Sequence, residues 1–264
     1  MVSVTDRLIV DNKDGVGRII FDNQAKRNAL TYEMWRGLPV VLGDFAADGA
    51  VRVIVLAGAG GKAFSAGADI SQFENNRSSE DAIAVYDQAV AEATNALLGA
   101  RKPLIARIDG FCLGGGLGVA LCCDLRIAAA DSRFGIPAAK LGLGYKLNGL
   151  KNLIDVVGPS SAMEILFTGR QFDAAEALAM GLVNRVVAPG EVASYVDDYA
   201  RAIAGNAPLT VLAAKTVVRE AVKDPDDRDL ELCQKVVDDC FASEDYKEGR
   251  KAFMEKRKPD FKGR

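Results

Sequence analysis

The chain has 264 residues, 49% of them hydrophobic and 26% charged, a balance that excludes a disordered protein and suits one large domain or a domain with a helical appendage. Its 33 Lys and Arg against 36 Asp and Glu leave a formal charge of −3, which gives no general attraction to nucleic acid. There is no histidine, so Ser-His-Asp and Cys-His nucleophilic systems, histidine metal ligands and histidine acid–base catalysis are excluded.

The N-terminal stretch MVSVTDRLIVDNKDG lacks the apolar segment of a secretory signal. No run approaches the roughly 18 uninterrupted apolar residues of a membrane span, so a cytoplasmic protein without membrane contact is expected. LIVDNKDGVGRIIFD sets two β-rich runs around DGVG and predicts a hairpin. Thr31 is placed to cap a helix through about Phe45, with Glu33 in its first turn. VRVIVLAG (51–58) is almost continuously apolar, as a strand covered on both faces is, and the glycine-rich loop GAGGKAFSAGADI follows it. Ser79, Glu80 and Asp81 open an amphipathic helical stretch that Gly99 and Pro103 close.

KPLIARIDG is the next predicted strand, the triple glycine of FCLGGGLG starts a helix, and DLRIAAADSRFGI returns as strand, a pattern that argues for a layered α/β fold. From about residue 149 the pattern is mainly helical, with Pro159 suited to a first turn, Gly181 closing FDAAEALAMG, and LVNRVV as the one short strand. Three further helical stretches follow Pro208, and the last ends strongly basic. Cys112, Cys122, Cys123, Cys233 and Cys240 have no disulfide or zinc spacing and are expected to be buried small hydrophobes.

FSAGADI and CLGGGLG both lie at strand-to-helix junctions, where ligands of open α/β folds gather. Bare N–H groups at a helix start can bind an anion or a developing negative oxygen. The same glycines also read as a close helix–sheet approach and a tight turn. Neither loop has G-x-G-x-x-G in a strand–turn–helix context and no GK[ST] follows, so a dinucleotide or phosphate loop is not expected. Asp69 and Asp124 read as turn caps or structural ion-pair partners.

FDNQAKRNAL, GGKAFSAGADI, IDGFCLGGGLGVALCCDLRIAA, FTGRQFDAAEALAMGLVNRVV and KEGRKAFMEKRKPDFK together resemble the enoyl-CoA hydratase/isomerase (crotonase) family, in order and over essentially the whole chain. The resemblance implies an α/β spiral of β-β-α turns over residues 1–200. A C-terminal helical region, 201–264, would pack on that core or on a neighbouring subunit of a homotrimer or homohexamer. It implies acyl-CoA substrates and no metal or cofactor beyond the substrate's own CoA. Aligned on these motifs, the main-chain N–H groups of Ala68 and Gly115 would hold the thioester oxygen. CoA would lie along Lys26, Ala66, Asp69 and Ile70, with Phe253 and Lys256 reaching its adenine or phosphate.

The resemblance also places two water-activating glutamates at positions where this chain has Gly118 and Ala138, and neither residue transfers protons. The segment 141–153, LGLGYKLNGLKNL, is similar to that of methylmalonyl-CoA decarboxylases. That puts Tyr145, Lys146 and Asn148 near the acyl group, although the glutamate and histidine of that subfamily are replaced by Gly118 and Ala68. Three expectations stand side by side: a hydratase/isomerase-type enzyme working through a thioester enolate, a decarboxylase using Tyr145, and a non-catalytic acyl-CoA binding protein.

Overall fold

Asp14 and Gly15 both have positive φ (54° and 79°), the two-residue turn geometry that suits the twist of a hairpin. Strand β1 (Leu8–Lys13) therefore folds back on β2 (Val16–Phe21), with Lys13 opposite Val16. Thr31 Oγ1 accepts the Met34 N–H at 3.3 Å and starts α1 (Tyr32–Ala47). The computed structural model describes residues 5–69 and 80–264. The predicted helix start at Ser79 lies outside them.

Three β-β-α turns follow. The first is β3 (Val53–Gly58), β4 (Ala63–Ser65) and α2 (Glu80–Gly99). The second is β5 (Leu104–Ile108), β6 (Phe111–Leu113) and α3 (Gly115–Leu121), and the third is β7 (Leu125–Ala129), β8 (Arg133–Gly135) and α4 (Ala138–Leu141). Each turn gives one strand to each of two sheets. With two later strands, β9 (Phe172–Asp173) and β10 (Arg185–Val187), the larger sheet runs β1-β2-β3-β5-β7-β10 and is parallel from β2 onward; the smaller runs β4-β6-β8-β9. Strands β4 and β6 were not expected, because three residues are too few to show a period and both sit in glycine-rich sequence.

The chain continues through α5 (Leu147–Thr168), which Gly158 breaks at φ 73° so that Pro159 opens its second segment. Then come β9 (Phe172–Asp173), α6 (Ala174–Ala179), β10 (Arg185–Val187) and α7 (Val192–Ala204). The last three helices are α8 (Pro208–Ala221), α9 (Leu230–Ala242) and α10 (Glu244–Glu255). Among the described residues, no helix is long and apolar enough to cross a membrane.

Strand β3 shows why its sequence is apolar without alternation. Ile54 and Leu56 face one core with Trp35, Leu38 and Phe45, while Val53 and Val55 face a second with Ile105, Val192 and Val196 of α7. Burying each such side chain contributes roughly 1.5–3 kcal/mol, so β3 is fixed from both sides.

Asp124 then ties the C-terminal helices to this frame. It accepts hydrogen bonds from Leu104 N (2.7 Å), Lys215 Nζ (2.6 Å) and Arg219 Nη2 (3.1 Å), and Lys215 also donates to Lys102 O at 2.8 Å. Burial lowers the Lys215 pKa and the Asp124 charge opposes that shift. Asp124 is thus the structural pair expected of it.

Cys112, Cys122 and Cys123 are buried, and desolvation pushes their thiols up, Cys122 to about 12, so they are inert. Cys233 and Cys240 depart from expectation. They sit on α9, which keeps much of its surface exposed, and are only partly buried.

The helix α3 meets β4 with no room for side chains. A Cβ on Gly116 would lie 2.6 Å from both the Ser65 Cβ and the Ser65 carbonyl oxygen. Gly116→Ala is expected to cost about 1–3 kcal/mol of stability by overpacking, read as a lower urea midpoint. An unchanged midpoint would contradict this packing.

Candidate active site

The segment 66–69 is gripped from one side by residues 27–30. Ala66 N donates to Arg27 O at 2.9 Å, Leu30 N to Gly67 O at 2.7 Å, and Asp69 N to Leu30 O at 2.9 Å. These bonds bracket Ala68 in a parallel bridge to Leu30. In extended backbone successive N–H groups alternate in direction, so the Ala68 N–H is turned to the opposite edge. Gly115 lies there. A Cβ on Gly115 would stand 3.5 Å from Ala68 N, and one on Gly67 would stand 3.3 Å from Gly115 N and 3.1 Å from Leu113 O.

Gly67 has φ 104°, which only glycine adopts readily, so it is required both by its conformation and by the approach of the two loops. Gly115 is the first residue of α3, a position whose N–H has no intrahelical acceptor. The neighbouring amides are used: Gly67 N donates to Ser65 Oγ at 3.2 Å and Gly114 N to Gly135 O at 2.9 Å. Among the described residues, neither Ala68 N–H nor Gly115 N–H donates to another backbone carbonyl. Two unspent donors at adjoining positions are suited to an oxygen that gains negative charge. Because α3 is only seven residues long, these local N–H groups matter more than any helix dipole.

Lys26 and Asp69 are brought together. Lys26 Nζ lies 2.9 Å from the Asp69 carboxylate, whose side chain is 5% exposed, so the buried aspartate is held as an ion-pair partner. Ala66 and Ala68 beside them are half-buried. Ile70 lies outside the described residues.

Tyr145 and Lys146 stand on the connection between α4 and α5. Tyr145 is 38% exposed, but burial of its hydroxyl region raises its pKa, so the phenol stays protonated at neutral pH. Lys146 Nζ reaches across to Asp87 on α2 at 2.8 Å, tying this connection to the first β-β-α turn, and Asn148 is exposed in the first turn of α5. Gly118, three residues after Gly115 on α3, is half-buried, and a Cβ there would meet nothing within 4 Å. Ala138 is buried at the start of α4.

Phe253 and Lys256 occupy the end of α10. Phe253 is 82% exposed and lines a cleft of about 950 Å³ with Phe241, Tyr246 and Met254. Neither Ala68 nor Gly115 lines that cleft. Among the described residues, no group of three His, Cys, Asp or Glu side chains could hold a metal ion.

The sequence reading missed Trp35, the chain's one tryptophan, whose indole Cζ2 lies 3.5 Å from the Cβ position of Gly115. On its own stretch it reads as one more apolar residue of a buried helix face. Its nearness to residue 115 depends on tertiary packing.

The model of the enoyl-CoA hydratase/isomerase family matches residues 11–264. The chain is 35% identical over 259 residues to the short-chain-enoyl-CoA hydratase of Clostridium acetobutylicum, covering 97% of this chain and 98% of that protein. It is 34% identical over 258 residues to the crotonyl-CoA hydratase of Syntrophomonas wolfei, with 97% and 98% covered. The crystal structure of an enoyl-CoA hydratase/carnithine racemase from Magnetospirillum magneticum superposes with a TM-score of 0.92 at 35% identity, over 98% of this chain and 97% of that one. The β-β-α spiral and these full-length likenesses agree: the chain belongs to the enoyl-CoA hydratase/isomerase family and has the crotonase fold.

Proposed function

We propose that the protein is an acyl-CoA enzyme that stabilises a thioester enolate between the main-chain N–H groups of Ala68 and Gly115. The observation that carries this reading is the adjoining position of the two amides, with neither donating to a backbone carbonyl among the described residues. When a proton or a carboxyl group leaves the α-carbon, negative charge moves to the thioester oxygen, and each fixed donor aimed at it stabilises the transition state by about 3 kcal/mol. Substrate CoA runs along Lys26, Ala66, Asp69 and Ile70, and Phe253 and Lys256 contact its adenine or phosphate from a neighbouring copy in a trimer or hexamer. The CoA of the substrate is the only cofactor this chemistry calls for.

Addition of water to a conjugated thioester needs a base for the water and an acid for the α-carbon. Gly118 and Ala138 supply neither, so hydration is slow, and the enolate is reached without a protein base, either by loss of carbon dioxide or by transfer of the α-proton to a water molecule. A second reading within the family rests on the similarity of segment 141–153 to methylmalonyl-CoA decarboxylases, in which the Tyr145 phenol, protonated at neutral pH as any ordinary tyrosine is, would donate a hydrogen bond to a substrate carboxylate. In a decarboxylation of the methylmalonyl-CoA type, the Cα–carboxylate bond breaks, its electron pair enters the enolate, carbon dioxide leaves, and the α-carbon then takes a proton from water. No base is needed to reach that enolate.

The test follows three probes separately: water addition to crotonyl-CoA, carbon dioxide release from methylmalonyl-CoA, and deuterium uptake at the α-carbon of butyryl-CoA in deuterated water. The expected result is carbon dioxide release or deuterium uptake with hydration close to background. Hydration at ordinary enzymatic rates would overturn the role given to Gly118 and Ala138. Tight binding of all three with no turnover would make the protein a carrier instead of an enzyme.

A further inference from the structure

The amides at 68 and 115 come from two different segments, the second opening the seven-residue helix α3. One short stretch, residues 30–35, borders both. Leu30 brackets Ala68 through its two bonds to Gly67 O and Asp69 N, and the chain turns at once into α1 through the Thr31 cap. One helical turn later Trp35, whose main-chain N–H donates to Thr31 O at 3.1 Å, faces Gly115 with its indole, Cζ2 standing 3.5 Å from where a Cβ of residue 115 would be.

That indole is fixed in turn. Its Nε1–H donates to the Tyr86 hydroxyl at 3.0 Å, and Tyr86, on α2, stacks on Tyr32 with ring centroids 6.4 Å apart and an interplanar angle of 30°. Trp35 is 3% and Tyr86 4% exposed. Nε1 and Cζ2 are both bonded to Cε2 of the indole, so the edge that meets Gly115 is the edge that Tyr86 holds. A ring flip would bring Cζ2 away from Gly115 and strip a buried N–H of its acceptor, which the interior strongly disfavours.

Resting on the reading of Ala68 and Gly115 as the donor pair, we propose that Trp35, locked by Tyr86, is the positioning residue that sets the separation of these two donors. It acts through Gly115 and does not touch substrate. Other apolar side chains would fill the volume, but only a rigid plate with an anchored edge fixes a backbone position from an adjacent helix.

The test uses the full-length protein with butyryl-CoA carrying ¹³C at the thioester carbon, in the wild type and in Trp35→Leu, Trp35→Phe and Tyr86→Phe. Hydrogen bonding to the thioester oxygen moves the bound carbonyl resonance downfield. The expected result is a clear downfield shift in the wild type that is much reduced in Trp35→Leu and Tyr86→Phe, while both still bind the probe with little loss of affinity. Enolate turnover falls with it, by up to about 10²-fold for a misplacement approaching 1 Å, in kcat more than in KM. Trp35→Phe, which keeps an aromatic plate without the anchor, falls between the wild type and Trp35→Leu.

If Trp35→Leu does not fold, Tyr86→Phe decides, since it removes only a hydroxyl and keeps the ring. A wild-type protein with no carbonyl shift sinks the donor-pair reading itself. A wild-type shift that the variants keep in full overturns the role of Trp35 alone.

Discussion

Replacing the peptide N–H of Ala68 by an ester oxygen is expected to slow enolate-forming turnover by about 10²–10³-fold, or about 3 kcal/mol, with a much smaller change in KM. The substitution keeps the methyl side chain and the backbone path and deletes one donor. In the folded chain that N–H donates to no backbone carbonyl among the described residues, so its removal strips no internal carbonyl of its partner. The ester does weaken its own carbonyl, that of Gly67, which accepts the Leu30 N–H at 2.7 Å. A denaturation midpoint measured alongside separates this stability loss from the kinetic one. The same replacement at Gly115 is expected to have a similar effect. The double replacement should cost less than the product of the two, because a single oxygen is shared. Turnover that survives at wild-type rate in either ester would contradict the role of that amide.

Restoring carboxylates at the two empty positions should have the opposite result. Gly118→Glu with Ala138→Glu is expected to raise hydration of crotonyl-CoA by about 10²-fold or more, the range that a positioned acid and base contribute. The space at 118 is open, since a Cβ there meets nothing within 4 Å. Position 118 is also one turn from Gly115, on the same face of α3. Glutamate is better than glycine inside a helix by roughly 0.5–1 kcal/mol, so this half of the change should not unfold the protein. Ala138 is buried, and a carboxyl there would have its pKa raised by desolvation, which favours the proton-donating form. A folded double variant with unchanged hydration would show that the missing acids are not what limits this reaction.

The parts of this molecule that were legible in its sequence are those set by neighbours along the chain. The Asp14-Gly15 turn, the Thr31 cap and the two-sided burial of β3 each follow from a few adjacent residues and are present as read. The triple glycine was legible as bare backbone, but its reasons differ residue by residue. Gly114 has φ 49°, Gly115 adjoins Ala68, and Gly116 would collide with Ser65. Only coordinates separate these. Strands β4 and β6 were hidden because three residues carry no periodicity. The Lys146–Asp87 and Lys215–Asp124 pairs, and the placing of Trp35 beside Gly115, join residues far apart in the chain, and nothing local marks them. Family resemblance points to the amides of Ala68 and Gly115, and the packing of segments 27–30, 66–69 and 113–116 gives those two amides a physical reason to be unspent.

A crystal structure of the complex with butyryl-CoA decides whether these two amides hold the thioester. Its oxygen is expected between Ala68 N and Gly115 N, about 2.7–3.1 Å from each. A bound thioester whose oxygen contacts neither amide, or amides found bonded to the protein's own carbonyls, would contradict it.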